Sequence, residues 1–301
     1  MMSGLNNQRI CLLNGMALAK LHNWTFVLPD FVVEYNAYQD AILMPFKSFY
    51  NVHHTTAFAH TNGFRAVEGL PQSRHAACML QLQHHRAPDT PDVSLLNIWG
   101  ANHGVVCLTA NNAFILNNHV PLTLADVRLA LRPAKQYEVD IMNIVTQMVV
   151  SHNTSTLPAV HVRVQPDWVA SCPFWPRTDG LQCMVDEEEL VNTLQNTFHL
   201  PEGCAILVIS DTTIEELLTL CHHFKCISKA ELWVDRSPTF LESSTTLAFV
   251  DFVLACKMEL FLGNIYSTFS REVVEVLNST GQQGVFYNPL CLEGQVCNVT
   301  I

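Results

Sequence analysis

The sequence predicts an α/β protein, and three observations carry that reading. Strand-like and helix-like segments alternate through the second half of the chain, which implies parallel strands joined by crossover helices. Hydrophobic residues make up 49% of the 301 positions and charged residues only 14%, ample for one large core or two ordinary ones. A polar run, Ser151-His-Asn-Thr-Ser-Thr156, separates a less regular first half from the alternating second half. The predicted domains are therefore 1–152 and 153–301.

The first element is a helix. Ser3 to Arg9 opens it, Ile10, Leu13, Ala17 and Leu21 follow at helical spacing, and it ends near His22-Asn23. Thr25 to Leu28 reads as a strand closed by Pro29. From Asp30 to about Val120 the pattern is less regular, with a short packed segment over Phe46–Val52 and a strand over Gly104–Leu108. Asp126 to Val150 reads as a long helix. Ala159 to Val164 is a β-branched, alternating strand stopped by Pro166. Beyond it come a helix over Asp186–Phe198, a buried strand over Ala205–Ile209 and a helix over Thr213–Phe224. A strand over Ala230–Val234, an apolar helix over Ser244–Glu259 and a short strand over Leu260–Leu262 follow. That last strand enters a Gly263–Arg271 loop, from which a helix runs to about Leu277.

Composition narrows the function. The net charge is −11 and no Lys/Arg-rich run exists, which argues against nucleic acid and anionic membrane surfaces as partners. No apolar run has the length of a membrane span, and no signal peptide is present. Eleven cysteines include the close pairs Cys172/Cys183, Cys221/Cys226 and Cys291/Cys297. These read either as short-loop disulfides of an oxidising compartment or as buried thiols. Triplets of the Asn-x-Ser/Thr type stand at Asn23, Asn153, Asn278 and Asn298. The His pairs at 53/54, 84/85 and 222/223 have no partner at metal-ligand spacing, so no metal site is expected.

Three polar stretches carry chemistry. Gly4-Leu-Asn-Asn7 at a helix start offers backbone N–H and amide groups suited to a diphosphate or sugar hydroxyls, or simply an N-capped first turn. Such a loop normally follows a strand, and only Met1 and Met2 precede Ser3. The expectation is a chain lacking its first strand, together with any leader or anchor ahead of it. His161 and Arg163 lie two apart at the end of the central strand, where a parallel sheet presents polar groups. An Arg there grips phosphate in a bidentate way; the plain alternative is an edge-strand Arg paired to a surface carboxylate. The Gly263–Arg271 loop combines strand end, glycine, hydroxyls and helix start, which makes an anion cradle or an ordinary cap at Ser267 or Thr268.

Gly4-Leu-Asn-Asn-Gln-Arg9, His161-Val-Arg163 with Asp167-Trp168, and Phe261-Leu-Gly-Asn264 through Ser267-Thr-Phe-Ser270 resemble the three conserved regions of the protein O-fucosyltransferase family and its plant relatives. Phe26-Val-Leu-Pro29 and Phe49-Tyr-Asn-Val52 are similar too. The resemblance implies a two-domain GT-B glycosyltransferase, with Rossmann-like domains facing a cleft and an inverting, metal-independent reaction. It implies GDP-fucose as donor, a protein or glycan hydroxyl as acceptor, and no cofactor. The compartment it implies is the endoplasmic reticulum or Golgi lumen if an upstream leader was lost; a chain complete as given would be cytoplasmic. By resemblance Arg163 contacts the β-phosphate and leaving oxygen, and His161 neighbours the nucleotide. Ser267, Thr268 and Phe269 hold the diphosphate and pack near the base. Gly4, Asn6 and Asn7 belong to the first donor-binding loop, Asn7 facing donor and acceptor. Asp211 and Asp251 are both candidates for pairing with guanine. Some relatives carry a Glu in the first loop as general base. Asn6 and Asn7 stand there instead, so the base is Asp30, Glu34 or none. The other readings are a different deoxysugar donor such as UDP-rhamnose, or an inactive glycan- or nucleotide-binding protein.

Overall fold

The structure, a computed structural model, describes residues 5–35, 41–69, 127–152, 157–164, 168, 186–228 and 244–287. The expected strands at 104–108 and 230–234, and the pairs Cys172/Cys183 and Cys291/Cys297, lie outside these residues, as do Gly4 and Asp167. The chain forms two compact units, Met1–Tyr137 with Ser243–Thr245, and Glu138–Glu242 with Thr246–Ile301.

In the first unit, helix α1 (Leu5–His22) buries Leu13, Met16, Ala17 and Leu18. It ends where Asn23 turns to φ 55°, a left-handed cap, and Trp24 N–H returns to the Ala19 carbonyl at 2.8 Å. Strand β1 (Thr25–Leu28) pairs in parallel with β4 (Arg65–Glu68). Between them lies structure the sequence did not predict: an antiparallel pair, β2 (Phe31–Tyr35) with β3 (Ala41–Met44), and helix α2 (Val52–Thr61). The apolar residues of β2 and β3 run on without alternation, and α2 is rich in His and Thr, so neither carries a clear period. Asn51 starts α2 by accepting the His54 N–H at 3.0 Å. The Gln8 amide donates to the Val32 carbonyl and accepts its N–H, both at 2.9 Å, fixing α1 to β2. The packed segment expected over Phe46–Val52 is a cluster in which Phe46, Phe49 and Tyr50 surround Phe31 at 5.0–6.3 Å between centroids.

The long helix expected from Asp126 is interrupted: Val127 and Arg128 are helical, the chain turns at Leu129 and Ala130, and α3 then runs over Lys135–His152. Pro133, a residue type that disfavours helix in the residue before it, stands ahead of α3, and Ala134 N–H goes to the Phe49 carbonyl at 2.8 Å.

The second unit holds a five-stranded, all-parallel sheet in the order β7-β6-β5-β8-β9. Its strands are β5 (Pro158–Val162), β6 (Ala205–Ser210), β7 (Lys225–Ile227), β8 (Leu260–Gly263) and β9 (Gln283–Phe286). The chain leaves β5 toward β6 and β7, then returns to the other side of β5 for β8 and β9. The strand order therefore reverses between β5 and β8, the place where open α/β sheets bind ligands at their carboxyl ends. Val160, Val162, Ile206, Val208 and Leu262 pack with Leu190, Leu194, Leu220 and Phe224 into one core. Leu190, Leu194 and Leu220 come from helices α4 (Glu187–Asn196) and α5 (Leu218–His223). Helices α6 (Ser244–Ala255) and α7 (Thr268–Ser279) flank β8 in the chain.

Two boundaries differ from the sequence reading. The central strand stops at Val162 because the Val164 N–H goes to the Asp211 carboxylate at 3.2 Å, not to a neighbouring strand. The helix expected over Thr213–Phe224 is a 3-10 turn at Ile214–Glu216 and then α5, broken at the buried Leu217, whose backbone leaves the helical region. Cys221 and Cys226 form a disulfide that ties α5 to β7.

Candidate active site

The sheet's carboxyl edge gathers the polar residues of the second and third stretches at the switch point. His161, next to last in β5, is 7% exposed. Its Nδ1 lies 2.8 Å from Ser270 Oγ, across the crevice from β5 to the helix that follows β8. Phe269 packs on the imidazole at 4.6 Å between centroids and is itself flanked by Phe252 and Phe261. Burial, and secondarily the Arg163 charge, pull the imidazole pKa down to about 3, so His161 is neutral at ordinary pH.

Arg163 is the first residue past β5. Its Nε lies 3.5 Å from Asp211 Oδ2, and its guanidinium sits 5.0 Å above the Trp168 ring. The other Asp211 oxygen accepts the Val164 N–H. One carboxylate at the end of β6 thus holds both backbone and side chain of the segment leaving β5. Arg163 thus pairs with a carboxylate, but at the end of the central strand of the sheet and not on an edge strand. Asp251, the other guanine candidate, is buried in α6 beside Phe252.

The loop after β8 is a tight turn. Asn264 Oδ1 accepts the Tyr266 N–H at 3.0 Å, and the Asn264 carbonyl accepts the Ser267 N–H at 3.0 Å. The first helical bond of α7 runs from Arg271 N–H to the Ser267 carbonyl, so the N–H groups of Thr268, Phe269 and Ser270 have no acceptor within the helix. Ser267 holds the cap position, yet its side chain makes no capping bond. Its Oγ is buried and without a hydrogen-bond partner among the described residues. A buried hydroxyl left unpaired at a positive helix end suits an anionic ligand.

Gly263 admits α7 to the sheet: a Cβ there would stand 2.5 Å from Ser270 Cβ and 2.7 Å from Phe261. The sequence also gave no sign of Tyr287, which follows β9. Its hydroxyl donates to the His161 carbonyl at 3.2 Å, and burial raises its pKa. In the first unit, Asn6 and Asn7 lie in the first turn of α1, each with a buried Oδ1 lacking a partner among the described residues. No group of three or more His, Cys, Asp or Glu side chains able to hold a metal occurs among the described residues.

The sequence model of the family described as GDP-fucose protein O-fucosyltransferase matches residues 1–277. The chain belongs to this family. It is thereby a glycosyltransferase by descent, and the fold agrees. The crystal structure of POFUT1 in complex with GDP-fucose is similar at a TM-score of 0.56 and 16% identity, over 98% of this chain and 96% of that one. POFUT1 in complex with GDP gives 0.57 and 14%, over 98% and 96%. The NodZ α-1,6-fucosyltransferase co-crystallised with GDP gives 0.52 and 13%, over 91% and 89%. The family fold is GT-B, as the resemblance implied. Comparison with curated proteins gives no significant match.

Proposed function

We propose that this family member transfers fucose from GDP-fucose to a hydroxyl of a protein or glycan, with inversion and without a metal. The observation that carries the reading is the set of donors at the switch point: Arg163, neutral His161, the α7 N-terminus and the unpaired Ser267 hydroxyl. Breaking the sugar–phosphate bond builds negative charge on the β-phosphate. A fixed guanidinium and aligned N–H groups stabilise that charge where it develops, which is the role a metal plays in other transferases. Inversion follows from direct attack by the acceptor oxygen on the face opposite the departing phosphate.

Asp211 is engaged by Arg163 and the Val164 N–H, and both Asp211 and Asp251 carry the acceptor oxygens that the adjacent N–H groups of guanine call for. Asn7 is the first-unit residue assigned to the reaction, with Asn6 supporting the donor. A lumenal compartment is supported by the Cys221–Cys226 bridge. No helix among the described residues is long and apolar enough to cross a membrane.

The deciding experiment joins Ser267→Ala with Thr268→Ala. These hydroxyls touch the diphosphate in ground and transition states alike, so donor KM should rise more than kcat falls. Each lost bond to a charged phosphate is worth about 1.5–3 kcal/mol. Because the Ser267 side chain caps nothing, melting should stay close to wild type. A lowered melting point with unchanged GDP affinity would overturn the assignment. Thermal shift with GDP and UDP side by side reads the base preference on the same protein.

Transfer should also persist in EDTA. Abolition by chelator with rescue by manganese or magnesium would assign the phosphate charge to a cation and not to Arg163.

A further inference from the structure

We infer that Ser270 is a positioning residue for the nucleotide site: its hydroxyl fixes the His161 ring with Nδ1 as acceptor and Nε2–H as the remaining donor. The inference rests on the GDP reading above and adds to it a residue with no place in it. Ser270 is fully buried on α7, and its Oγ has two neighbours, His161 Nδ1 at 2.8 Å and the Asn264 N–H at 3.0 Å. A backbone N–H only donates, so Oγ accepts from Asn264 and its single proton goes to Nδ1. The opposite arrangement, Nδ1–H donating to Oγ, would leave the hydroxyl proton buried and unused.

The surroundings hold this geometry. Phe269 covers one face of the ring at 4.6 Å, and the Tyr287 hydroxyl fastens the His161 carbonyl. The missing side chain at Gly263 is what lets Ser270 come this close. Imidazole kept neutral by burial has one N–H to give, and Ser270 decides which nitrogen carries it. An Nε2–H donor at the sheet edge serves a phosphate or ribose oxygen, whereas the other tautomer would turn a lone pair toward it.

The test begins with the wild-type full chain, without nucleotide, by nitrogen-15 NMR of the histidine rings, using His161→Gln to identify the signal. The expected spectrum has Nε2 protonated and Nδ1 bare; a protonated Nδ1 at neutral pH overturns the inference without any variant. Ser270→Ala should then give a mixed tautomer and about tenfold weaker GDP binding, with donor KM rising more than kcat falls. Ser270→Cys keeps a donor in place and should recover part of the loss. A purely structural serine would lower the melting point and leave the ring spectrum and GDP affinity as in wild type, and that result overturns the inference. Wild-type protein that shows the expected tautomer yet does not bind GDP would instead count against the donor assignment.

Discussion

Arg163→Lys is expected to keep the fold and lose roughly a hundred- to a thousandfold in kcat, the usual cost of removing one aligned donor from a charge-stabilising site. The geometry explains why the retained charge does not suffice. The guanidinium lies over Trp168 at 5.0 Å and turns its Nε toward Asp211 at 3.5 Å, which fixes the plane of the group. A planar fork held on one edge and one face has its remaining N–H groups already oriented. A Lys ammonium has no plane for Trp168 to hold and no Nε for Asp211 to meet. Release of GDP from GDP-fucose, followed alongside melting and GDP affinity, gives the answer. Turnover within a few-fold of wild type, on a folded protein, would take Arg163 out of the reaction.

Gly263→Ala is expected to produce the largest combined loss of stability and binding. The added methyl meets Ser270 Cβ at 2.5 Å and Phe261 at 2.7 Å, and neither can yield without moving α7 or the core. Overpacking of this kind costs about 1–3 kcal/mol. For a unit of this size that is roughly 2–10 °C in Tm. Moving α7 also displaces Ser267, Phe269 and Ser270 together, so GDP affinity should fall by more than tenfold. Gly203→Ala is the control. Gly203 has φ +75° and open space around it, at the amino end of β6, so it should lower Tm through backbone strain and leave GDP affinity intact. Equal effects on GDP binding from the two variants would mean that α7 is not the part that matters.

The legible parts of the fold were those with a strong local period. The first helix, β1, β5, β6, β8 and the helices around them follow from apolar spacing. Elements set by tertiary contacts were not legible. Strand β2 depends on the Gln8 amide, 24 residues away, and β7 has only Lys225, Cys226 and Ile227 to show. Element ends shifted for the same reason: Asp211, just past β6, stops β5 by taking the Val164 N–H. In the site, the Ser267-Thr-Phe-Ser270 run marked the loop, since hydroxyls before a helix are a local signal. The division of labour inside it was not readable. Ser267 stands as a cap without capping, Ser270 reaches a histidine 109 positions earlier, and Tyr287, just past β9, donates to that histidine's carbonyl. Such pairings exist only once the strand order is known.

That strand order also sets the order in which the second unit is able to fold. Strand β5 lies in the middle of the sheet, but its partner β8 is made 102 positions later, Pro158 pairing with Leu260. During synthesis β5, β6 and β7 have each other, while the far edge of β5 stays bare. Residues Ala159, Val160 and Val162, fully buried in the finished protein, then border an open and apolar strand edge. An edge of that kind recruits other strands, including those of neighbouring chains. Any product ending before residue 260 would carry it permanently. The arrangement that brings His161 beside the helix after β8 therefore makes the nascent protein depend on protection until β8 has been translated.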